Sequence, residues 1–423
     1  MKWMLALALI AAASCSDDDA TSTQDDMDIR NEFDMGVQAD VAVDQNTSQP
    51  DVSVTPDMAV DMPVDMDPTV CRVPAAANRV RKLVVARPYD DDANSSPVYV
   101  IHQVTTEGVI EQPYTQFELG RAFDGKIQFT PDGEVGFVRL DDGKIGIFRI
   151  LPNGDVEVIE QGFQASQYAS SILIDPTGEY LYMINSGFRN VNGGVYRAKI
   201  DCKTGELTDE GLVAPAKLAY GMAFVSPEQA FVEAVDFGDS EEPNHVHEIS
   251  IGDTLTRVAS GSAFTTEDVG LAGFALSNDA KYAIVGDAGL FSNHSISVVS
   301  LTGQIAQVQN FPVVDPQDAV FSPFGNAAIV ISSQGDNIQV YDVNTSSAQP
   351  LTLRGNLQRQ EATLLPTDAV MITRGDLNGH VFVSENVAIR RIKFEASGAV
   401  TDLGLTPNGE GLSAIPGAIG IQP

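Results

Sequence analysis

The sequence predicts an all-β fold in which seven similar four-stranded sheets close into a ring, preceded by a disordered acidic tether. Two repeated sequence motifs, which we call phrases, support this prediction. Successive copies of the first phrase lie 43 to 51 residues apart. Regular periods of this length indicate one supersecondary unit copied along the chain. Helical patterns of usable length between strands, which a barrel of alternating strands and helices needs, are missing from the sequence.

The first phrase is an apolar strand, a turn with Pro or Asn and small residues, and a second apolar strand. It is clearest at Phe129-Thr-Pro131-Asp-Gly133, which precedes the apolar stretch Val135 to Val138. In the sixth copy, Pro366 is expected to precede a second strand at Ala369 to Thr373, which leaves residues 374–388 as a loop. The Pro or Asn positions are Pro131, Pro176, Pro227, Asn278, Pro323, Pro366 and Pro416.

The second phrase is a six-residue strand that follows each copy of the first. The strand from Ile145 to Ile150 is apolar on both faces, so a single sheet of this kind cannot bury its own surface. Neighbouring sheets must therefore stack on each side, and closing the series removes the outer faces. The seven copies are Tyr99–Val104, Ile145–Ile150, Val195–Ile200, Val246–Ile251, Ile296–Leu301, Ile338–Val343 and Ile389–Phe394.

The two ends of the repeat region are incomplete in complementary ways. Residues 80–119 contain later strands of a unit and lack a first strand, whereas Leu412 to Ile421 supply a first strand. We therefore expect the chain ends to share one sheet. The whole pattern resembles a seven-bladed β-propeller, similar to the lactonase-like and YVTN-repeat propellers of bacteria.

The N-terminus has the order of a secretory signal, with Lys2, an apolar core and small residues before Cys15. Ala12-Ala13-Ser14-Cys15 resembles a bacterial lipobox, which implies removal of residues 1–14, lipidation of Cys15 and a membrane contact through the lipid anchor alone. Ser16 after the cysteine resembles the sorting pattern of outer-membrane lipoproteins, facing the periplasm or the surface. The alternative is ordinary cleavage after Ala13, leaving Cys15 as a free thiol.

The charge of the chain is strongly negative and concentrated near the N-terminus. The chain has 25 basic and 58 acidic residues, a net charge of −33. Such a polyanion repels nucleic acid and anionic lipid, so nucleic-acid binding is excluded. Residues 16–70 hold 15 acidic residues and one arginine. We interpret residues 15–70 as an extended linker and residues 71–423 as the propeller.

Two cysteines remain after Cys15. Cys71 and Cys202 form an even pair in a chain predicted to be exported, which indicates a disulfide, with two unpaired buried thiols as the alternative. The bond would tie the start of the propeller to a turn about 130 residues later.

Acidic residues dominate the loops that are expected to share one face of the ring. The resemblance to propeller lactonases implies carboxylates around the channel mouth, sometimes with a metal, and the candidates are Asp268, Asp315, Asp318 and Glu361. Asp90 and Asp92, beside Asn94, are candidate oxygen ligands for Ca²⁺. Asp287 and Asp376 are further acids of this face, and a solvated acidic rim is the alternative reading.

His245-Val-His247 is the most specific local candidate for a metal site in the sequence. Strand alternation would place both imidazoles on one side, where a divalent metal could bind them together with a nearby carboxylate. The alternative is one histidine at a loop end and one beside a neighbouring sheet. His102 is expected to be packed between sheets rather than catalytic.

Two functions are predicted from these observations. The first is a non-catalytic module that binds a protein, glycan or small molecule through the acidic loop face. The alternative is a lactonase-like hydrolase with a carboxylate site, with or without a divalent metal, at the channel mouth. The sequence lacks the linear nucleophile, zinc and phosphate-binding motifs that would favour an enzyme, and it does not identify a ligand.

Overall fold

The computed structural model describes twelve segments of the chain. They are residues 70–87, 97–122, 125–164, 169–187, 193–237, 244–264, 270–289, 294–334, 337–358, 365–385, 388–407 and 417–423. The predicted signal peptide and residues 15–69 of the predicted linker therefore lie outside the described residues, as do Asp90 and Asp92. No helix in these twelve segments is long and apolar enough to cross a membrane.

Apart from one short 3-10 helix at Val70–Arg72, the regular elements in these segments are strands. In chain order the strands are β1 (Arg81–Arg87), β2 (Val98–Val104), β3 (Ile110–Glu118), β4 (Gln128–Phe129), β5 (Val135–Arg139), β6 (Ile145–Ile150), β7 (Val156–Phe163), β8 (Ala169–Ile174), β9 (Tyr180–Asn185), β10 (Gly194–Ile200), β11 (Leu207–Ser226), β12 (Gln229–Phe237), β13 (Val246–Ile251), β14 (Leu255–Gly261), β15 (Leu271–Leu276), β16 (Tyr282–Asp287), β17 (Ser295–Ser300), β18 (Ala306–Pro312), β19 (Pro316–Phe321), β20 (Ala327–Ser332), β21 (Asn337–Val343), β22 (Leu351–Gln358), β23 (Ala369–Met371), β24 (His380–Ser384), β25 (Ala388–Phe394), β26 (Val400–Pro407) and β27 (Ile419–Ile421).

The strands of the described segments pair into four-stranded antiparallel blades of a β-propeller. Blade 1 is β27-β1-β2-β3, blade 2 is β4 to β7, and blades 5, 6 and 7 are β15 to β18, β19 to β22 and β23 to β26. Blades 3 and 4 form one seven-stranded sheet because the long strand β11 pairs with β10 in its first half and with β12 in its second. β11 is thus the outer strand of blade 3 and the inner strand of blade 4.

The chain ends share blade 1, as the sequence predicts. β27 pairs antiparallel with β1, with Leu83 opposite Ile421 and Val85 opposite Ile419. The inner strand β27 also contacts β4 of blade 2 and β23 of blade 7. Blade 1 therefore contacts both blade 2 and blade 7, and these contacts close the series of blades into a ring.

The core lies between the blades rather than within any one of them. Seven buried apolar clusters occur in the described residues, and each draws on two neighbouring blades. One cluster joins Leu83 and Val85 of blade 1 to Phe382 and Ile389 of blade 7. Because a sheet with two apolar faces is stable only when both are covered, this packing explains why the repeats stack in a ring.

The repeated turn between the first and second strands has a clear local cause. In blade 2, Gly133 adopts φ of +81° and its N–H donates to the Thr130 carbonyl at 2.7 Å. The Thr130 hydroxyl donates to Asp132 at 2.6 Å and accepts from the Val135 N–H at 3.1 Å. Side-chain bonds of this kind stabilise tight turns. We call the end of the propeller that carries these turns the turn face, and the opposite end the loop face.

Blade 7 departs from the predicted strand order. Ala369–Met371 is the inner strand rather than the second strand, and part of the expected loop 374–388 is the second strand, His380–Ser384. The first turn of this blade lies beyond Pro366, where Gly375 and Gly379 adopt φ of +72° and +91°. These left-handed glycines, rather than the proline, set the turn.

The predicted disulfide is present. Cys71, in the short 3-10 helix, is bonded to Cys202, which follows β10 in blade 3, across a separation of 131 residues. Both cysteines are buried, and they belong to the apolar cluster between blades 2 and 3. The bond therefore fixes the segment before β1 against the turn face of these blades.

Candidate active site in the central channel

The inner strands of the blades surround a central channel that contains a cavity of about 450 Å³. A cavity of this size can accommodate a small organic ligand. Its walls come from five blades rather than from one local motif. The lining residues include Lys126–Phe129, Phe274–Leu276, Ala319–Phe321, Ala369–Met371 and Ile421.

An ion pair spans the channel near the loop face. Lys126 stands two residues before β4 of blade 2, and its Nζ lies 2.8 Å from Oδ2 and 3.0 Å from Oδ1 of Asp318 in blade 6. The Asp318 side chain is 5% exposed, whereas the Lys126 side chain is 35% exposed. Lys126 is therefore the more exposed side chain of the pair.

Asp318 is held by main-chain donors from two blades. Its Oδ1 accepts the N–H of Ala319 at 2.9 Å, and its Oδ2 accepts the N–H of Ala369 in blade 7 at 3.0 Å. Each carboxylate oxygen thus has one backbone donor in addition to Lys126. Because these bonds engage both oxygens, Asp318 is better suited to positioning Lys126 than to taking up a proton.

A second carboxylate borders the same mouth. Oδ2 of Asp368, just before β23, accepts the N–H of Gly125 at 2.8 Å, next to Lys126 in the chain. Burial lowers the pKa of Lys126, but Asp318 and, more weakly, Asp368 outweigh it, so the pKa is raised overall. Lys126 is therefore a firmly held cation between two carboxylates.

The two predicted channel carboxylates that the structure describes form hydrogen bonds with different groups. Asp315 precedes β19 and has φ of +52°. Its carboxylate accepts a hydrogen bond from the Ser333 hydroxyl, and its N–H donates to Nδ1 of His294 at 3.2 Å. Asp315 and Asp318 therefore have different partners. Asp268 and Glu361 lie outside the described residues.

The imidazoles of His245 and His247 contact different aromatic residues. His245 lies just before β13, packs against Phe264, and its Nδ1 is 3.0 Å from the Ser262 hydroxyl. His247 packs against Phe237, and burial lowers its pKa to about 4. Within the twelve described segments, no group of three or more His, Cys, Asp or Glu side chains is placed to hold a metal ion.

Other acids assigned to the loop face have varied positions. Asp287, at the end of β16, is buried, and its Oδ1 accepts the N–H groups of Gly270 and Gly289 at 2.9 and 3.1 Å. It therefore orders two loop segments. Asp376 belongs to the first turn of blade 7 and lies at the turn face, opposite to its predicted position, because residues 372–379 connect β23 to β24.

Sequence reasoning did not identify Glu233, one of several buried acids. Glu233 on β12 is 1% exposed, and neither carboxylate oxygen has a hydrogen-bond partner among the described residues. Its Oε2 lies 2.9 Å from the point where a Cβ on Gly221 would stand, and Phe274 of blade 5 borders the same point. Burial raises the pKa of Glu233 to about 8 and, with the Glu233 charge, raises that of Tyr220.

A comparison between blades could have revealed Glu233. It pairs with the residue that follows the bulge in the inner strand, Gly221. The equivalent positions in blades 3, 5 and 6 are Ile184, Val285 and Ile331, all apolar. Among these four blades, only blade 4 has a carboxylate at this position, whereas the other three have an apolar residue. Lys126 is harder to recognise from the sequence, where it is only a basic residue two positions before a short inner strand.

Solved structures with the same architecture include two described as lactonases. The periplasmic gluconolactonase PpgL of Pseudomonas aeruginosa is 14% identical, with a TM-score of 0.61 over 82% of this chain and 99% of that chain. A putative 6-phosphogluconolactonase from Bacteroides fragilis is 11% identical, with a TM-score of 0.57 over 82% and 99%. A functionally unknown protein from Desulfotomaculum acetoxidans is 16% identical, with a TM-score of 0.53 over 80% and 98%.

These similarities show the fold alone, a β-propeller, and extend over nearly the whole of each compared chain. At 11 to 16% identity they do not carry an activity to this chain. No protein-family model matches the sequence, and no curated protein does.

Proposed function

We propose that this protein is an exported, lactonase-like hydrolase that opens a small cyclic ester in the central channel. The observation that carries the proposal is Lys126, whose ammonium group is held by Asp318 and which lines a cavity of about 450 Å³. The channel cavity and two structures of the same fold described as lactonases favour a hydrolase over non-catalytic binding through the acidic loop face.

The chemistry follows from the charge of Lys126. Attack of water on the ester carbonyl places negative charge on the carbonyl oxygen, and a preorganised cation stabilises that charge. Asp368, beside Gly125, is the carboxylate that would accept a proton from the attacking water. The ring C–O bond then breaks as Asp368 returns this proton to the leaving oxygen. The carboxylic acid formed releases its own proton to solvent, which leaves a hydroxy carboxylate.

The proposed substrate class is a sugar lactone. The cavity volume is within the range of small-molecule sites. Two structures of the same fold are described as a gluconolactonase and a putative 6-phosphogluconolactonase. We therefore choose D-glucono-1,5-lactone as the first substrate to test.

The test measures release of acid from this lactone in a pH-stat, corrected for spontaneous hydrolysis. Lys126→Met should lower kcat/KM at least about 100-fold, the effect of removing one stabilising group from an oxyanion site. Lys281→Met, at a lysine paired with Asp279 away from the channel, is the matched control and should keep full activity. Wild-type protein that fails to accelerate hydrolysis of this and other sugar lactones would contradict the proposal.

A double variant separates chemistry from folding. Lys126→Met alone leaves the buried Asp318 carboxylate without its cation, so the variant could lose activity by unfolding. Lys126→Met combined with Asp318→Asn removes both charges and retains similar shapes. If the double variant is folded by circular dichroism yet inactive, the loss is catalytic, whereas a folded and fully active variant refutes the role of Lys126.

The proposed location is the outer membrane, with Cys15 lipidated and residues 15–70 linking the anchor to the propeller. The lipobox-like residues Ala12 to Cys15 support this proposal. The Cys71–Cys202 disulfide also supports export, because disulfides persist in oxidising compartments.

A further inference from the structure

The wall of the channel cavity has one polar side chain at a level where three other blades have apolar ones. The next-to-last residues of four inner strands line this cavity, and we call them the second layer: Gln128, Ala275, Val320 and Val370. Gln128 is the only one of these four residues whose side chain can form hydrogen bonds. A ligand with hydrogen-bonding groups would therefore meet one specific side chain at this level.

The second layer lies directly beyond the charged residues of the channel. Lys126, Asp318 and Asp368 each precede a member of the second layer by two residues. The inner strands run from the loop face to the turn face, so the second layer is the deeper one when the channel is entered from the loop face. Two residues of extended chain correspond to about 6.6 Å. A small ring that contacts Lys126 can therefore extend to Gln128.

The alternation of side chains along the chain places Lys126 and Gln128 on the same side. On the other side, Ile127 belongs to the apolar cluster between blades 1 and 2, and Phe129 packs against that cluster. The Lys126 side chain reaches Asp318 of blade 6. Gln128 therefore shares the orientation of the side chain that crosses the channel, rather than that of the core residues.

The Gln128 amide has no hydrogen-bond partner within the described part of the chain, and the residue is half-buried. Asn278, the other amide among the residues that line the cavity, differs because it donates to the Ser322 carbonyl at 3.0 Å. A side-chain amide has two N–H donors and a carbonyl acceptor. At Gln128 these groups remain available to a ligand.

We propose that Gln128 binds a ring hydroxyl group of the substrate and makes the protein prefer hydroxylated lactones to unsubstituted ones. Its N–H groups can donate to a hydroxyl oxygen, and its carbonyl group can accept the hydroxyl proton. A site built in this way discriminates against an analogue that lacks the hydroxyl, because the amide is then left unpaired. The inference rests on the proposed function, which places the lactone carbonyl group at Lys126.

The experiment measures binding of two lactams to the full-length protein by isothermal calorimetry. D-Glucono-1,5-lactam has the ring hydroxyl groups, δ-valerolactam lacks them, and both have an amide in place of the ester. Wild-type protein should bind the hydroxylated lactam more tightly. Gln128→Met keeps the length of the side chain and removes its hydrogen-bonding groups. It should weaken binding of D-glucono-1,5-lactam about tenfold and affect δ-valerolactam much less.

Gln116→Met is the matched control. Gln116 is exposed on β3, the outer strand of blade 1, and this variant should bind both lactams as wild type does. Circular dichroism checks that Gln128→Met is folded. We expect it to fold, because Val320 and Val370 show that apolar side chains are accommodated at equivalent positions.

The outcomes distinguish this inference from the proposed hydrolysis, because acid release from D-glucono-1,5-lactone is measured on the same proteins. The role of Gln128 is refuted if wild type does not bind D-glucono-1,5-lactam, if Gln128→Met binds it equally well, or if both lactams lose affinity equally. Binding that depends on Gln128 without hydrolysis by wild type supports the inference and contradicts the hydrolase. Hydrolysis by wild type, together with lactam binding that Gln128→Met does not change, contradicts this inference alone.

Discussion

Glu233 is expected to make the stability of the propeller fall as pH rises. Burial raises its pKa in the folded protein to about 8, against an ordinary value of 4.5. At pH values between 4.5 and about 8, the Glu233 carboxyl group is deprotonated in the unfolded chain and protonated in the folded protein. A folded state that binds more protons loses stability with increasing pH, so the loss begins near pH 4.5 and is complete above about pH 8.

The magnitude follows from the separation of the two pKa values. A difference of about 3.5 units, at 1.36 kcal/mol per unit, corresponds to about 5 kcal/mol of unfolding free energy. Solvent screening does not reduce this figure much, because Glu233 is 1% exposed. A loss of this size is a large share of the stability of an ordinary domain.

Glu233→Gln tests the prediction because glutamine has the same shape and does not titrate. Urea unfolding of the variant and wild type should be measured at several pH values from 4.5 to 9. The difference in unfolding free energy should shift in favour of the variant by up to about 5 kcal/mol across this range. Other groups, including His247 with its lowered pKa, contribute equally to both proteins.

Glu233→Ile is the matched control, since isoleucine occupies the equivalent positions at Ile184 and Ile331. It should remove the same pH dependence and also fill the apolar contact with Phe274. Parallel pH profiles of wild type and Glu233→Gln would refute the reasoning, because they would mean that Glu233 titrates alike in the folded and unfolded states.

Three further predictions concern the disulfide, the channel ion pair and the anchor. Cys202→Ser should lower the unfolding free energy by about 3 to 5 kcal/mol, because the Cys71–Cys202 bond closes a long loop; equal urea midpoints would contradict this. Asp318→Asn should lower the thermal midpoint by an amount that Lys126→Met added to it partly restores, since the double variant leaves no unpaired charge. A double variant less stable than Asp318→Asn alone would argue against this coupling. Cys15→Ser should release the protein from membrane fractions, and unchanged membrane association would remove the lipid anchor.

Much of the propeller could be predicted because its cause is local and repeated. The Thr130 to Gly133 turn carries its own hydrogen bonds and left-handed glycine, so it is visible in the sequence wherever it recurs. The sharing of blade 1 by the two chain ends could be predicted because the N-terminal end of the repeat region lacks a first strand and the C-terminal end supplies one. Blade 7 was misaligned because Gly375 and Gly379, rather than Pro366, determine its first turn.

The candidate site was much less predictable because its residues come from distant blades. Lys126 and Asp318 are separated by 192 residues, and nothing in the sequence near either one specifies the other. Asp318 was predicted as a catalytic candidate, yet its partners suit it to holding Lys126. Glu233 is different, since the comparison of equivalent strand positions could have identified it without coordinates.

The pairing of β27 with β1 has a consequence for how the protein is made. Synthesis runs from the N-terminus, so β1 emerges early, while its inner partner Ile419–Ile421 is translated more than 300 residues later. Until then the first sheet has an open edge that is free to pair with other chains. Closure of the propeller must therefore wait until residues 419–421 have been synthesised.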